Sequence, residues 1–279
     1  MDMPEYYLTD AEYEIFQQQK EQILQELFAR ENSIDLIELG AGDGLKTKVL
    51  LSYFLNQKKA FKYIPIDISK KAIQELTASL REEFPHLEVE EQIGDYFKVI
   101  SDLSKYDRNR KAILFLGSNI GNFNSEQARD FFSHLGDVME QNDRLFIGFD
   151  LKKDPNIILR AYNDPHGHTR DFNINLLLRI NQELNADFHL DRFIHYESYN
   201  PVTGTAKSYL VSTRDQTVTI KGLDKSFHFD EWEAIYIEMS QKYDDEMIQN
   251  IASDCGFHVI NNFYDSRKYF VNSVWKKQQ

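Results

Sequence analysis

The chain has 279 residues, with 32 Lys and Arg against 45 Asp and Glu for a formal net charge of -13, and 42% hydrophobic residues, enough to bury a core. That field repels polyanions and no Lys/Arg run exceeds a pair, which disfavours nucleic acid, so none is expected as a partner; the longest apolar runs, such as 112–116 and 176–178, fall far short of the roughly 18 residues that span a bilayer. A single cysteine, Cys255, excludes an internal disulfide framework and a Cys-based zinc cage, and no metal site is expected; with no basic-then-apolar leader, the expectation is a cytoplasmic protein acting on a small molecule, with no membrane partner.

Residues 9–30 are rich in Glu, Gln, Leu, Ile and Phe without Gly or Pro and are expected to form a helix. Short apolar runs follow at 34–39, 63–68, 89–93, 112–116 and 145–149, each flanked by turn residues, as buried parallel strands are. Between them the clearest helix is 125–139, with Ala128, Phe131, Phe132, Leu135, Val138 and Met139 on one apolar face. Strand–helix alternation at this spacing predicts a doubly wound α/β sheet.

The character changes after Asp150. Residues 152–170 hold Pro155, Pro165 and Gly167 and read as a loop, and 171–186 read as a helix with Leu176, Leu177, Ile180 and Leu184 on one face. Alternating segments over 192–240, including 205–213 and 234–240, suit antiparallel strands. A helix at 244–253 stopped by Gly256 precedes two strand-like runs, 257–263 and 268–275, a late antiparallel hairpin of the kind that finishes a methyltransferase-type sheet.

The strongest local signal is Glu38-Leu39-Gly40-Ala41-Gly42-Asp43-Gly44, directly after the first strand and before a helix. Glycines there let the backbone turn sharply and approach a ligand. The spacing lacks the third glycine of a dinucleotide fingerprint. An acid two residues before the first glycine is instead the pattern of S-adenosylmethionine (SAM) enzymes, where a carboxylate helps hold the cationic amino-acid end. Asp67 ends the next strand, where a ribose diol is gripped by both carboxylate oxygens, and Asp95 follows the third strand, placed to accept from the adenine amino group.

With Phe115-Leu116-Gly117-Ser118-Asn119-Ile120-Gly121-Asn122 at the end of the fourth strand, the sequence resembles the histidine-specific SAM-dependent methyltransferases of ergothioneine pathways, the L-histidine Nα-methyltransferases. The likeness runs collinearly from Pro4-Glu5-Tyr6-Tyr7 through the glycine turn and Lys46, Pro65-Ile66-Asp67, Gly94-Asp95 and Asp150-Leu151-Lys152-Lys153-Asp154. It continues through Arg160-Ala161-Tyr162-Asn163-Asp164 and Asn181-Gln182-Glu183-Leu184 to Glu238-Met239-Ser240-Gln241-Lys242-Tyr243.

The resemblance implies a Rossmann-like class I methyltransferase core over 16–151 and 243–279, with a smaller inserted α+β substrate domain over 1–15 and 152–242. It implies SAM as cofactor, held by Gly40, Gly42, Lys46, Asp67, Gly94 and Asp95 along with Glu38. Tyr6, Asn122 and Tyr162 would hold the backbone end of a free amino acid, with Asn122 and Tyr162 orienting the reacting amine, and Glu238 and Ser240 would grip its imidazole. Residues 206–210 sit where the family places a methionine beside the imidazole, and Ser208 takes that place, so a more open or differently shaped pocket is expected. Three rivals stand beside Nα-methylation of histidine up to three times: the same chemistry on another amino acid or amine (tryptophan, thiolated histidine), a non-catalytic SAM-binding partner module, and an NAD-linked dehydrogenase. Nothing in the sequence sets the oligomeric state, and a monomer is compatible with it.

Overall fold

A computed structural model describes residues 6–95, 98–99 and 109–278; Pro4 and Glu5, singled out above, lie outside the described residues. In chain order the elements are α1 (Tyr7–Phe28), β1 (Ser33–Leu39), α2 (Thr47–Asn56), β2 (Ala60–Asp67), α3 (Lys70–Glu83), β3 (Glu88–Val89), β4 (Gln92–Ile93), β5 (Arg110–Phe115), α4 (Ser125–Val138) and β6 (Arg144–Asp150). There follow α5 (Pro155–Tyr162), α6 (His168–Leu184), β7 (Phe193–Asn200), β8 (Thr205–Ser212), β9 (Gln216–Ile220), β10 (Lys225–Phe229), β11 (Ala234–Gln241), α7 (Asp245–Asp254), β12 (Phe257–Tyr264) and β13 (Phe270–Lys277).

The chain forms two compact units, Leu8–Leu151 with Tyr243–Gln279, and Met1–Tyr7 with Lys152–Lys242. The N-terminal seam therefore lies at residue 7 rather than 15. Ala11, Glu12, Ile15 and Phe16 are all fully buried, and the Glu12 carboxylate bonds to groups of the larger unit.

The larger unit is built on one sheet in the order β12-β13-β6-β5-β1-β2-β3, with β4 also on β2. The pairs β2–β1, β1–β5 and β5–β6 are parallel, while β13 runs antiparallel to both β6 and β12. The central strands are buried almost end to end because helices cover both faces, which explains their uninterrupted apolar runs. Trp275 of β13 is fully buried, 4.8 Å from Phe132 of α4 and 5.8 Å from Phe149 of β6, and ties the hairpin into the core. Chain order reverses between β1 and β5, and the carboxyl ends of strands at such a switch point are where open α/β sheets bind ligands.

Two expectations for this region change. The run 89–93 is not one strand but two two-residue pieces, each paired to β2. The stretch 152–170 is not a loop throughout. Asp154 accepts from the Asn156 N–H and Pro155 opens α5, a favourable start because proline's missing N–H would be unpaired there anyway.

The smaller unit holds a three-stranded antiparallel sheet, β11-β8-β7, and the hairpin β9–β10. Its core gathers Leu177, Phe188, Phe193, Leu210, Val218 and Ile220. α6 buries Leu177 with Ile174, Ile180 and Leu184 packed alongside, whereas Leu176, expected on that face, is 40% exposed. The segment at His166 and His168 is a helix start: Asp164 accepts from the N–H groups of His166, His168 and Thr169. Burial pushes the Asp164 carboxyl up, but those bonds outweigh it and hold it at about 2. No described helix is long and apolar enough to cross a membrane.

Candidate active site

In the larger unit the glycine turn leaves β1 through left-handed conformations at Gly40 (φ 73°) and Gly44 (φ 65°). A side chain at Gly44 would also come within 2.5 Å of Leu76 Cδ1, so a larger residue would strain the backbone and push Leu76 aside. The turn is pinned to the neighbouring strand end: the Gly40 and Ala41 N–H groups donate to the Ile66 carbonyl at 2.8 and 3.1 Å, and Gly42 N–H donates to Asp67 Oδ2 at 3.1 Å. Asp67 Oδ1 accepts from Ser69 N–H at 2.9 Å, and its backbone carbonyl accepts from Gly94 N–H at 3.1 Å, which brings Asp95 beside it. Gly42, Asp67 and the Gly94–Asp95 pair thus converge at adjacent strand ends. A Cβ on Gly42 would meet nothing within 4 Å, so the turn is open on that side, and the Asp67 oxygens keep lone pairs beyond these two bonds.

Glu38 behaves differently from the expected direct cofactor contact. It is 3% exposed, and its carboxylate accepts from Thr47 Oγ1 at 2.7 Å and from the Tyr63 hydroxyl. It therefore locks β1 to β2 and to the start of α2, shaping the turn from within. Burial raises its pKa to about 7, against the lowering effect of the two hydroxyl bonds. A raised carboxyl pKa favours the native state below the ordinary 4.5 and loses that contribution as pH climbs through 7. Glu38→Gln is expected to flatten the fall in stability between these pH values, a difference of about 3 kcal/mol in chemical denaturation at pH 5 against pH 8.

Lys46 gives its ammonium to Glu12 Oε2, and a side chain at Gly117 would sit 3.3 Å from Lys46 Nζ. Glu12 is the residue the sequence reading missed here. Its carboxylate also accepts from Gly117 N–H, 3.0 Å to Oε2, and from Asn272 Nδ2, 2.8 Å to Oε1. One buried acid on α1 therefore fixes both Lys46 and the loop after β5. That loop passes through left-handed Gly117 and Ser118 into a 3-10 turn at Asn119–Asn122, which leaves Asn122 exposed at the carboxyl end of β5.

In the smaller unit, Tyr162 closes α5 and its hydroxyl donates to Ser240 Oγ at 2.8 Å. Lys242, fully buried and not foreseen, donates to the Tyr162 hydroxyl at 2.6 Å and to Ser240 Oγ at 2.7 Å, with its ammonium 4.4 Å from the Tyr162 ring centre. Ser240 Oγ thus accepts twice, and what it has left to offer a ligand is its own O–H. Glu238 and Ser240 share a face of β11, and Lys242 follows at the same two-residue step; that alternation was the signal for it.

A bulge between Tyr236 and Glu238 makes this face. Tyr236 pairs with Tyr209 but Glu238 pairs with Ser208, so the extra residue turns Glu238 and Ser240 to the side opposite Tyr236. Burial raises the Glu238 pKa, with Lys242 pulling the other way. Tyr6 is half-buried; the neighbouring Tyr7 hydroxyl accepts from Lys153 Nζ at 2.8 Å. Among the described residues, Asp215, His228 and Asp230 are the group with metal-like spacing, all exposed, with His228 Nε2 3.5 Å from Asp215 Oδ2 and 3.3 Å from Asp230 Oδ1.

Comparison with known proteins gives the family. Residues 1–277 match the model of a family described as histidine-specific methyltransferase, SAM-dependent. The histidine N-alpha-methyltransferase of Mycobacterium tuberculosis is 31% identical over 275 residues, 99% of this chain and 84% of the relative. That of Mycolicibacterium smegmatis is 31% identical over 91% of this chain and 77% of the relative. In fold, a Pyrococcus horikoshii protein superposes with a TM-score of 0.51 at 14% identity, covering 92% of this chain and 88% of that one. The sheet order, the glycine turn and the match over nearly every residue lead to one conclusion: this chain is a Rossmann-like, SAM-dependent methyltransferase and belongs to the histidine-specific family.

Proposed function

We propose that the enzyme methylates the α-amino group of a free amino acid, L-histidine first among them, adding up to three methyls, and that it works in the cytoplasm on small molecules. The observation that carries the substrate is the inner face of β11, where Glu238 stands beside Ser240 and Ser240 is fixed by Tyr162 and Lys242. A ring N–H finds a carboxylate acceptor in Glu238, and the ring edge meets a hydroxyl whose position is locked. Lone acids on sheets usually face water; this one is half-buried and paired across the bulge with a buried serine.

When bound, SAM supplies an electrophilic methyl group on a sulfonium. The glycine turn, Lys46, Asp67 and the Gly94–Asp95 pair are proposed to hold it, with Glu38 and Glu12 keeping them in place. What remains for the chain is to present an amine that is unprotonated and aligned, and to keep water out. Asn122 offers a carbonyl that accepts from an amine N–H and leaves the lone pair free, while Tyr6 and Tyr162 are proposed to hold the same end of the amino acid. The test is turnover with SAM and a panel of amino acids, read by mass spectrometry. Histidine is expected to gain methyl groups in successive steps on its α-nitrogen; turnover of tryptophan or another amine with none of histidine would overturn the assignment.

A further inference from the structure

The same face of the smaller unit carries a second carboxylate. In the β11-β8-β7 sheet, Ser208 pairs with Glu197 on one side and Glu238 on the other, so the three side chains stand in one row on one face. Two strand spacings, about 9–10 Å at the backbone, separate the acids. Ser208 Oγ donates to Glu197 Oε2 at 2.6 Å. The Glu197 side chain is 1% exposed, and its Oε1 is buried without a hydrogen-bond partner among the described residues. Buried polar atoms are nearly always paired, so such an oxygen calls for a donor.

The charges around it point to a cationic donor. Burial lifts the Glu197 pKa to about 7, with the Ser208 bond opposing and Glu238 adding to the rise. Lys242 acts on both acids, but its ammonium is engaged by Tyr162 and Ser240. His195, two residues back on the same strand face and 1% exposed, holds Nε2 3.9 Å from Glu197 Oε2, too far for a hydrogen bond; burial pushes its pKa down, and Asp164 and Arg170 act on it in opposite senses. Among the described residues, two carboxylates therefore face one ammonium. Ser240, limited to donating, cannot accept a second ring N–H.

We propose that Glu197 is a second acceptor for the substrate side chain, and that the pocket takes the imidazole as its cation, one N–H to Glu238 and the other to Glu197. This rests on the histidine reading above, gives the second ring nitrogen to Glu197 in place of Ser240, and sets the charge state of the ring. A neutral imidazole would use Glu238 and Ser240 alone. The position that the family fills with methionine is here Ser208, and its hydroxyl orients the second acid.

The test is the ¹⁵N shift of ring-labelled histidine bound to the parent enzyme with S-adenosylhomocysteine at about pH 8, where the free ring, of ordinary pKa about 6.5, is neutral. Both ring nitrogens are expected to carry protons in the complex. In Glu197→Gln the bound ring is expected to revert to neutral and KM for histidine to rise roughly ten- to hundredfold, with kcat within about twofold. A neutral ring in the parent complex overturns the proposal, and so does an unchanged KM in a Glu197→Gln protein that melts with the parent. If Glu197→Gln fails to fold, the parent spectrum alone decides. A parent that does not turn over histidine overturns the substrate assignment and this proposal together, whereas turnover with a neutral ring overturns only the role of Glu197.

Discussion

Glu12→Ala is expected to lower the melting temperature by roughly 10 °C, because breaking a buried ion pair by removing one partner costs about 3–5 kcal/mol in a protein of this size. The acid is fully buried and serves three donors: the Lys46 ammonium, the Gly117 N–H and the Asn272 amide. Alanine leaves all three without that acceptor. Asn272 is the least able to compensate, since it is itself fully buried and its Oδ1 already lacks a partner among the described residues. The sheet has made room for this carboxylate: a Cβ on Gly148 would approach Glu12 Oε1 to 2.5 Å and Phe270 to 2.9 Å. Glu12→Gln keeps the volume and one acceptor but loses the charge, and is expected to fall between the parent and Glu12→Ala. Asp10→Ala, an exposed acid on the same helix, is expected within about 0.5 kcal/mol of the parent. Calorimetry with S-adenosylhomocysteine on Glu12→Gln separates stability from binding. Weakened cofactor affinity is the expected result, because Lys46 and the Gly117 loop both lose their anchor; affinity equal to the parent's would show that Glu12 serves the fold alone.

The contrast between Glu12 and the glycine turn shows what a sequence discloses. Gly40, Gly42 and Gly44 announce themselves because few residues tolerate their backbone angles, and the buried strands because they are apolar on both faces. Glu12 looked like one more acid in a charged helix. Its one signal was position, among Leu8, Ala11, Ile15 and Phe16 on the stripe that α1 buries. Glu38 was legible as part of a motif, but its inward bonds to Thr47 and Tyr63 depend on the neighbouring strand and helix, which no local spacing reports. On β11, alternation alone placed Glu238 and Ser240 together, but it would also have placed Tyr236 with them. Only the bulge moves Tyr236 to the other side. Glu197 was hidden for a related reason: β7 reads Phe-Ile-His-Tyr-Glu-Ser-Tyr-Asn, where polar residues occupy the buried face and the usual alternation is blurred.

Glu238→Ala is expected to raise KM for histidine roughly 10- to 100-fold, since a hydrogen bond to a charged group contributes about 1.5–3 kcal/mol. Affinity for S-adenosylhomocysteine should barely change, because the glycine turn, Asp67 and Asp95 belong to the larger unit and Glu238 to the smaller. The loss should fall on KM more than on kcat, as the acid holds the ring and not the reacting amine. Removing the carboxylate also leaves Lys242 as the ammonium nearest the ring, with its bonds to Tyr162 and Ser240 intact, so a cationic ring would meet repulsion where it had met attraction. Glu238→Gln, which keeps an acceptor without the charge, should show a smaller rise, and the gap between the two variants measures how much of the grip is electrostatic. Asp67→Ala should show the reverse division, with cofactor affinity falling and KM for histidine at saturating SAM nearly unchanged. Steady-state kinetics with calorimetry on the same preparations reads both. A Glu238→Ala protein that keeps the parent's KM for histidine would remove the imidazole from β11, and with it the argument that the bulge exists to present this acid.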